Sequence, residues 1–360
     1  MATRKYLPLL LLAVAVVLVQ GLTRWTETAY LLTQLTMSAY YSLLILGLTV
    51  LMGYTGQASM GHAGFFGIGG YLAAALTTCN LADMKTHALV TLLDRAGLLV
   101  ESKGLFGEAL LRIHPWAACV VAILTAALIA FLIGIPVLKL KGHYLAMATL
   151  GFGIIIYRIA LATRFFGEAD GISEVPAFSL FPGVTVSGGM GARVMNYYIA
   201  WSILGLALVM LINLMDSRVG RALRAIHGSE EAAEAMGVPT ARYKLHIFVL
   251  SAVLAAVAGV FLAHYNGGIG PSEAGVMKSV RYVAIVAIGG MASLWGALTM
   301  SMLLNFLSLR GLFGSYDDAV FGAILILIML FAPHGLQRLP VWRRLRGKLR
   351  RNPPPAGGGK

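Results

Sequence analysis

One uncharged stretch, YVAIVAIGGMASLWGALTMSMLLNFLSL at Tyr282–Leu309, decides how many times the chain crosses a membrane. Its 28 residues exceed the roughly 20 that a helix needs to cross a hydrocarbon core about 30 Å thick. Because a single tilted helix accommodates such a length, hydropathy alone leaves one helix or two open. Two glycine-containing interruptions, Gly289-Gly290 and Trp295-Gly296, favour two shorter helices that meet between them.

The composition of the whole chain is that of a membrane protein. Of its 360 residues, 58% are apolar and only 12% are charged, about half the usual globular share. The mean hydropathy is +0.80. These values exclude a soluble enzyme, a secreted disulfide scaffold and a disordered protein. The two cysteines, Cys79 and Cys119, have no CxxC partner, which argues against a zinc or redox site and leaves open whether they pair.

Eight further apolar runs are interpreted as membrane spans: Leu7–Gln20, Tyr30–Met52, Ala58–Thr78, Trp116–Leu138, Tyr144–Ala162, Tyr197–Met215, Leu245–Tyr265 and Ala319–Ala332. With the broken stretch counted as two, the sequence predicts an all-α polytopic integral membrane protein with about ten transmembrane helices, some of them broken. Residues 1–351 are expected to form a single transmembrane domain. The low-complexity tail 352–360, NPPPAGGGK, is expected to be disordered.

The charges assign the two sides of the membrane. With ten spans and the N-terminus inside, the inner segments carry 17 of the 28 basic residues and four acids. The outer segments carry ten basic residues and eleven acids. This positive-inside pattern predicts cytoplasmic N- and C-termini, whereas nine spans would put the basic stretch WRRLRGKLRR outside. Arg4-Lys5 before the first run also fits a signal peptide, but no A-x-A site follows, which favours an uncleaved anchor.

Two outer loops are long. The loop Asn80–Pro115 has room for a short amphipathic helix around Leu89–Leu111, and the loop Arg164–Met195 is predicted to be irregular.

The inner loop Asp216–Lys244 has a helical pattern of its own. A basic helix is predicted over Val219–His227, and Ser229 is placed as the N-cap of a second, two-turn helix, Glu230–Met236. Gly237 follows at the position where glycine ends helices. The short helix has an alanine face and no large apolar stripe, so we expect it to dock into a cleft on a partner rather than fold alone.

In this loop, Glu231-Ala232-Ala233 followed after three residues by Gly237 resembles the EAA---G loop of the membrane subunits of ABC importers. The surrounding GRALRAIHGSEEAAEAMGVPTARYKLHIFVLSAVLAAVAGVFLAHY is similar to the branched-chain amino-acid-type permeases, the LivM-like family. The I-x-L-P of the wider importer consensus is absent, which weakens a link to sugar-type permeases. The resemblance implies an ATPase-coupling loop that contains Gly228, Ser229, Glu230, Glu231, Ala232, Ala233 and Gly237.

The same resemblance implies the partners. These are two separate ATP-binding subunits, a second related permease and a periplasmic substrate-binding protein, assembled at a bacterial inner (plasma) membrane. The chain itself is then no enzyme and needs no cofactor, because ATP is bound by the partner subunits. Its ending Gly359-Lys360 is not a Walker A loop, because Pro354 stands where a glycine is required.

A second motif, GYTGQASMGHAGFFGIGGYL at Gly53–Leu72, joins the second and third spans and closely resembles a stretch of the same permeases. Its glycines and small polar residues favour a broken helix that lines a cavity, and its small-xxx-small pairs predict close helix contact. A short likeness between 58–61 and 292–296 fits either a duplicated broken-helix unit or chance. The candidate translocation-path residues are Gln57, Ser59, His62, Arg158 and Ser293.

These candidates also have plainer interpretations. The polar ones fit local hydrogen bonds between packed helices, and His62 fits an ordinary buried imidazole. Arg158 lies inside a span, so it is expected to face protein or water, or to extend to the outer interface. The eight histidines show no HxxxH or HExxH pairing, so no metal site is predicted. The basic flanks favour anionic lipid over nucleic acid as a neighbour.

The sequence therefore favours a permease subunit of an ABC importer for branched-chain amino acids. A urea or short-amide importer of the same family shares both motifs, and nothing in the spans selects between these substrates. An ATP-independent secondary transporter is less favoured, because the spans carry no acids for ion coupling.

Overall fold

The computed structural model describes residues 2–81, 97–103, 109–140, 142–312 and 314–331, and within these ranges the protein is predominantly helical. The helices are α1 Ala2–Trp25, α2 Leu31–Thr55, α3 His62–Thr78, α4 Pro115–Val137, α5 His143–Ala162, α6 Arg193–Asp216, α7 Arg218–Gly228, α8 Glu230–Ala235, α9 Thr240–Asn266, α10 Val276–Gly289, α11 Leu294–Leu309 and α12 Asp317–Phe331. The strands are β1 Leu99–Lys103, β2 Ala109–Ile113, β3 Ile172–Ser173, β4 Phe178–Phe181, β5 Val184–Val186 and β6 Gly268–Ile269. The tail 352–360 lies outside the described residues.

Within the described residues, each apolar run of the sequence falls mainly on helices, which confirms an all-α membrane protein. In the described part of the chain, six helices are long and apolar enough to cross a membrane by themselves: α1, α2, α4, α5, α6 and α9. The other runs fall on the shorter helices α3, α10, α11 and α12. The protein is thus a multi-pass membrane protein whose apolar helices include several short ones.

The long uncharged stretch is broken as predicted. Helix α10 ends at Gly289, Gly290 has a φ of +92°, and α11 begins at Leu294. The hydroxyl of Ser293 caps α11 by accepting a hydrogen bond from the Gly296 N–H at 3.1 Å. The start of the segment was predicted wrongly, because α10 begins at Val276 and includes charged residues that we expected in an outer loop. Tertiary ion pairs compensate these charges, as described below.

The outer segment after α3 contains a β-hairpin where the sequence has room for a helix. Strands β1 and β2 pair antiparallel, with Leu99 opposite Ile113. The helix around 89–111 was therefore wrong over the two strands, whose pairing satisfies backbone groups without a long apolar helix face. Of the rest of that range, only residues 97–98 belong to the part of the chain that the structure describes. The outer loop between α5 and α6 contains only short elements, β3 to β5 and two 3₁₀ turns, in agreement with the irregular loop predicted.

Helices α2 and α9 form the centre of the protein. In their most apolar windows 89% of α2 and 67% of α9 are buried within the chain, compared with 6% of α1. Glycine allows α3 to touch α9 backbone to backbone, since a Cβ on Gly69 would overlap the backbone of Ala256. A Cβ on Gly70 would lie 3.0 Å from the carbonyl oxygen of Gly259. These approaches confirm the close contact that the small residues predict.

Cys79 and Cys119 are both free thiols in this fold, so the open question of their pairing is answered against a disulfide.

Candidate functional site

The loop between α6 and α9 folds into two capped helices. The hydroxyl of Ser229 accepts a hydrogen bond from the Ala232 N–H at 3.2 Å, so Ser229 is the N-cap of α8 as predicted. Gly237 has a φ of +80°, and its N–H donates to the carbonyl oxygen of Glu234 at 2.9 Å. The next N–H, of Val238, donates to the carbonyl oxygen of Ala233 at 3.0 Å. This pair of bonds is a Schellman motif, and it ends α8 where the sequence predicts.

Helix α8 is attached to the start of α9 by side chains on one face. Ala233 is only 3% exposed, and Glu230 forms an ion pair with Lys244 of α9. Glu234 accepts a hydrogen bond from the hydroxyl of Thr240, also on α9. The alanine face is therefore not presented as a whole, because Ala233 faces inward.

The opposite face of α8 is exposed. It carries Glu231, Ala232, Ala235 and Met236, of which Met236 is 84% exposed. Gly228 and Gly237 are also exposed, and a Cβ built on either meets nothing within 4 Å among the described residues. The loop thus presents a short helix on a fixed base, with room around it.

Helix α7 links this loop to the interior. Gly220 allows a tight turn after α6, since a Cβ there would overlap the backbone of Met215. Leu223 and Ile226 of α7 are buried in the same apolar core as α2. At the end of α7, His227 lies beside Gly56, the C-cap of α2, since a Cβ built on Gly56 would be 3.4 Å from Nδ1 of His227. The loop therefore touches the break between α2 and α3.

A hydrogen-bond chain holds this break against α9. The Ser251 hydroxyl donates to the carbonyl oxygen of Phe248 at 2.8 Å, so it accepts from Nε2–H of His62 at 2.9 Å. Nδ1 of His62 then accepts from the hydroxyl of Ser59 at 3.0 Å. His62 is 1% exposed and both its ring nitrogens are bonded, which is the plainer of the two interpretations offered by the sequence.

The other path candidates divide into two groups. Gln57 lies in the break and is 3% exposed, and neither amide atom has a hydrogen-bond partner among the described residues. Ser293 lies in the α10–α11 break, which meets the first break because the Tyr54 hydroxyl donates to the carbonyl oxygen of Ala292 at 3.0 Å. Arg158 is exposed on α5, about 13 Å along the helix from Thr149, which contacts the first break. The structure therefore places Gln57, Ser59 and His62 at the first break and Ser293 in the second, brings the two breaks into contact, and leaves Arg158 apart.

Sequence reasoning missed several residues that hold the first break. Ser251 was not singled out, nor were Thr149, whose hydroxyl accepts from the Met60 N–H at 3.0 Å, and Ser279, whose hydroxyl accepts from the Ala63 N–H at 3.2 Å. A lone serine or threonine in an apolar helix is a weak signal, because its hydroxyl also bonds its own helix backbone.

Sequence reasoning also missed a charged cluster at the start of α10. Lys278 pairs with Glu273 at 3.0 Å, and the hydroxyl of Tyr41, near the middle of α2, donates to the same carboxylate at 3.1 Å. Arg281 pairs with Asp317 of α12 at 3.4 Å. The one available signal was the position of these charges directly before a broken span.

Known proteins resemble the chain over most of its length. The family model described as "Branched-chain amino acid transport system / permease component" matches residues 30–329. The high-affinity branched-chain amino acid transport system permease protein LivM of Salmonella typhimurium is 30% identical over 329 residues, which cover 86% of this chain and 69% of that protein. LivH of Escherichia coli, a permease protein of the system of that same description, is 28% identical over 314 residues, covering 85% and 93%. BraD of Pseudomonas aeruginosa is 26% identical over 321 residues, covering 86% and 95%.

A match that takes in both breaks and the loop between α6 and α9, on a multi-pass helical fold, shows that the chain belongs to the branched-chain amino acid ABC transport permease family.

Proposed function

We propose that this chain is the permease subunit of an ABC importer for branched-chain amino acids in the bacterial inner membrane, with cytoplasmic termini. Two separate ATP-binding subunits drive the importer, and the coupling loop 216–244 of this chain docks into a groove on the ATPase. A second related permease completes the membrane part, and a periplasmic binding protein delivers the substrate. The relatives support a permease pair, because LivM and LivH are both named as permease proteins of a high-affinity branched-chain system.

The attachment of α8 is the observation that supports coupling best. The helix is anchored to α9 through Glu230 and Lys244, while Glu231 and Met236 are exposed. A protein that engages the exposed face would therefore move the base of α9 together with α8. Through His227 and Gly56, the same displacement would reach the α2–α3 break.

The charge of the exposed face of α8 indicates the kind of surface on which it docks. Glu231 lies in the first turn of α8, where the helix dipole favours an acid, and it is exposed. A basic groove on the ATPase would complement it. A lysine at the same position would repel that groove without entering a membrane span.

The test is a reconstituted importer made of the chain, the second permease, the ATPases and the binding protein. Wild type and Glu231→Lys are compared for co-purified ATPase and for ATP hydrolysis stimulated by leucine-loaded binding protein. Asp170→Lys, an exposed acid of the outer loop, is the matched control. We expect normal membrane insertion in all three, with loss of ATPase yield or stimulation in Glu231→Lys alone.

Two results would contradict the proposal. Full complex yield and full stimulated hydrolysis in Glu231→Lys would remove Glu231 from the coupling contact. Uptake of urea or a short amide in place of leucine by the wild-type importer would reject the substrate class.

A further inference from the structure

Two cavities adjoin at the start of α10. The first, which we call the amino-terminal cavity, has a volume of about 410 Å³ and is lined by Ser272, Gly275, Val276, Lys278 and Arg281, among others. The second, which we call the acidic cavity, has a volume of about 350 Å³ and is lined by Tyr41, Tyr282, Asn305, Ser308 and Asp317, together with the same Lys278 and Arg281. The two basic residues thus stand between the cavities, which have the size of small-molecule sites.

The amino-terminal cavity suits an anionic group. It is open to the first turn of α10, whose helix begins at Val276, and it is bordered by two basic side chains. Helix N-termini carry partial positive charge and N–H donors, and basic side chains add to that field. No acidic side chain lines this cavity among the described residues, and the acids that pair with its two basic groups, Glu273 with Lys278 and Asp317 with Arg281, lie outside that lining.

The acidic cavity suits a cationic group. Oδ2 of Asp317 accepts a hydrogen bond from Ser308 and faces Arg281, whereas its buried Oδ1 has no partner among the described residues. The hydroxyl of Tyr282 lines the same cavity, and that residue is 1% exposed with its oxygen likewise unpartnered in the described part. Two unpaired buried oxygens in one cavity are costly unless a donor binds them. An ammonium group supplies such donors.

The depth of the cavities fits a transport path. Tyr41, which borders the acidic cavity, lies near the middle of α2, and its hydroxyl donates to Glu273 just before α10 begins. Helix α10 has 14 residues and is therefore about 21 Å long, and the break that follows it meets the last turn of α2 through Tyr54 and Ala292. Its start therefore lies level with the middle of α2 rather than with the first turn of that helix. The start of a short helix near mid-depth is the arrangement in which transporters hold substrate.

We propose that these two cavities together hold the substrate during translocation and that they select a zwitterionic α-amino acid. Lys278 and Arg281 bind its carboxylate at the start of α10, and Asp317 with the Tyr282 hydroxyl binds its ammonium group. Val276 and Leu309 offer apolar walls to the side chain. The proposal rests on the importer function above and deepens it, because a neutral amide such as urea carries neither of the two charges.

The experiment measures binding to the assembled permease–ATPase complex in nanodiscs, without binding protein. Radiolabelled leucine is displaced by unlabelled leucine, by leucinamide, which lacks the carboxylate, or by 4-methylpentanoate, which lacks the ammonium group. Variants are Tyr282→Phe and Asp317→Asn. The matched controls are Tyr316→Phe, at an exposed tyrosine, and Asp170→Asn, at an exposed acid.

In the wild type we expect leucine to compete better than either singly charged analogue. Tyr282→Phe should lower the affinity for leucine about tenfold, as expected for loss of one hydrogen bond to a charged group. It should leave the affinity for 4-methylpentanoate unchanged. Asp317→Asn should lower the affinity for leucine and for leucinamide, and it should leave the affinity for 4-methylpentanoate unchanged. The controls should behave as wild type, and complex yield in each variant separates a binding defect from a folding defect.

Arg281→Lys keeps a charge at the shared wall of the two cavities and serves as the second variant if Asp317→Asn reduces complex yield. It should lower the affinity for leucine and 4-methylpentanoate more than the affinity for leucinamide, because Arg281 is assigned to the carboxylate. Wild-type displacement curves in every variant, or a complex that transports leucine yet shows no saturable leucine binding, would overturn this site while leaving the importer function intact. A complex that transports urea but not leucine would reject both.

Discussion

His62 at the start of α3 donates a hydrogen bond from Nε2 to the hydroxyl of Ser251 on α9, over 2.9 Å. The two residues are 189 positions apart, and the bond ties the first helix break to one of the two central helices. Because the other ring nitrogen accepts from Ser59, the imidazole is held in one tautomer and one orientation. The contact makes the break a fixed structural junction.

Ser251→Ala should destabilise the protein. It leaves the Nε2–H of His62 buried without an acceptor, which typically costs about 1–3 kcal/mol. The melting temperature of the purified complex in detergent should fall. Ser202→Ala, at an exposed position on α6, is the control and should leave it unchanged. Equal melting of the two variants would mean that the bond adds no stability.

Gly61→Leu should impair transport and reduce complex yield. A Cβ at this position would lie 2.5 Å from the carbonyl oxygen of Thr149, so a larger side chain must push α5 away from the break. Overpacking of this kind typically costs about 1–3 kcal/mol. Gly151→Leu on α5 meets open space and is the control. Wild-type leucine uptake by Gly61→Leu at normal expression would refute close packing at this position.

Labelling with an impermeant thiol reagent should define the topology. After both native cysteines are replaced, a cysteine at the exposed Phe181 should react from outside, because the positive-inside pattern places that loop in the periplasm. A cysteine at the exposed Met236 should react only after the membrane is opened. Reaction of the cysteine at Met236 in intact spheroplasts would contradict the proposed orientation.

Gly237→Val should uncouple the importer, whereas Gly191→Val, at an exposed glycine of the outer loop, should not. Both glycines have open space around a Cβ, but only Gly237 has a positive φ, at +80°. A left-handed conformation costs a side-chain-bearing residue about 1–2 kcal/mol, and more for a β-branched one. The variant should therefore shift the end of α8 and lower substrate-stimulated ATP hydrolysis at unchanged permease level. Equal hydrolysis in both variants would show that the Schellman turn has no part in coupling.

The elements that the sequence predicts well depend on neighbours along the chain. Ser229 marks the start of α8 and Gly237 its end, through hydrogen bonds to residues within five positions. The break at Gly290 follows from a glycine pair in an apolar run. The positions of the apolar helices depend on the same local run of residues. The ATPase-coupling role of the loop and the sides of the membrane remain predictions, since both depend on partners and lipid outside the chain.

The amino-acid sequence by itself determined an all-α membrane protein, its broken helices and the capped helix of the inner loop, because hydropathy, glycine and cap residues act over a few neighbours. Only the tertiary structure decided that Lys278 and Arg281 stand on a helix rather than in a loop. The partners of Lys278 are Tyr41 of α2 and Glu273 in the segment before α10. The partner of Arg281 is Asp317 of α12. A partly buried charge is stable only where a partner is packed against it, and no local pattern predicts Tyr41 or Asp317, which folding brings to Lys278 and Arg281 from distant parts of the chain.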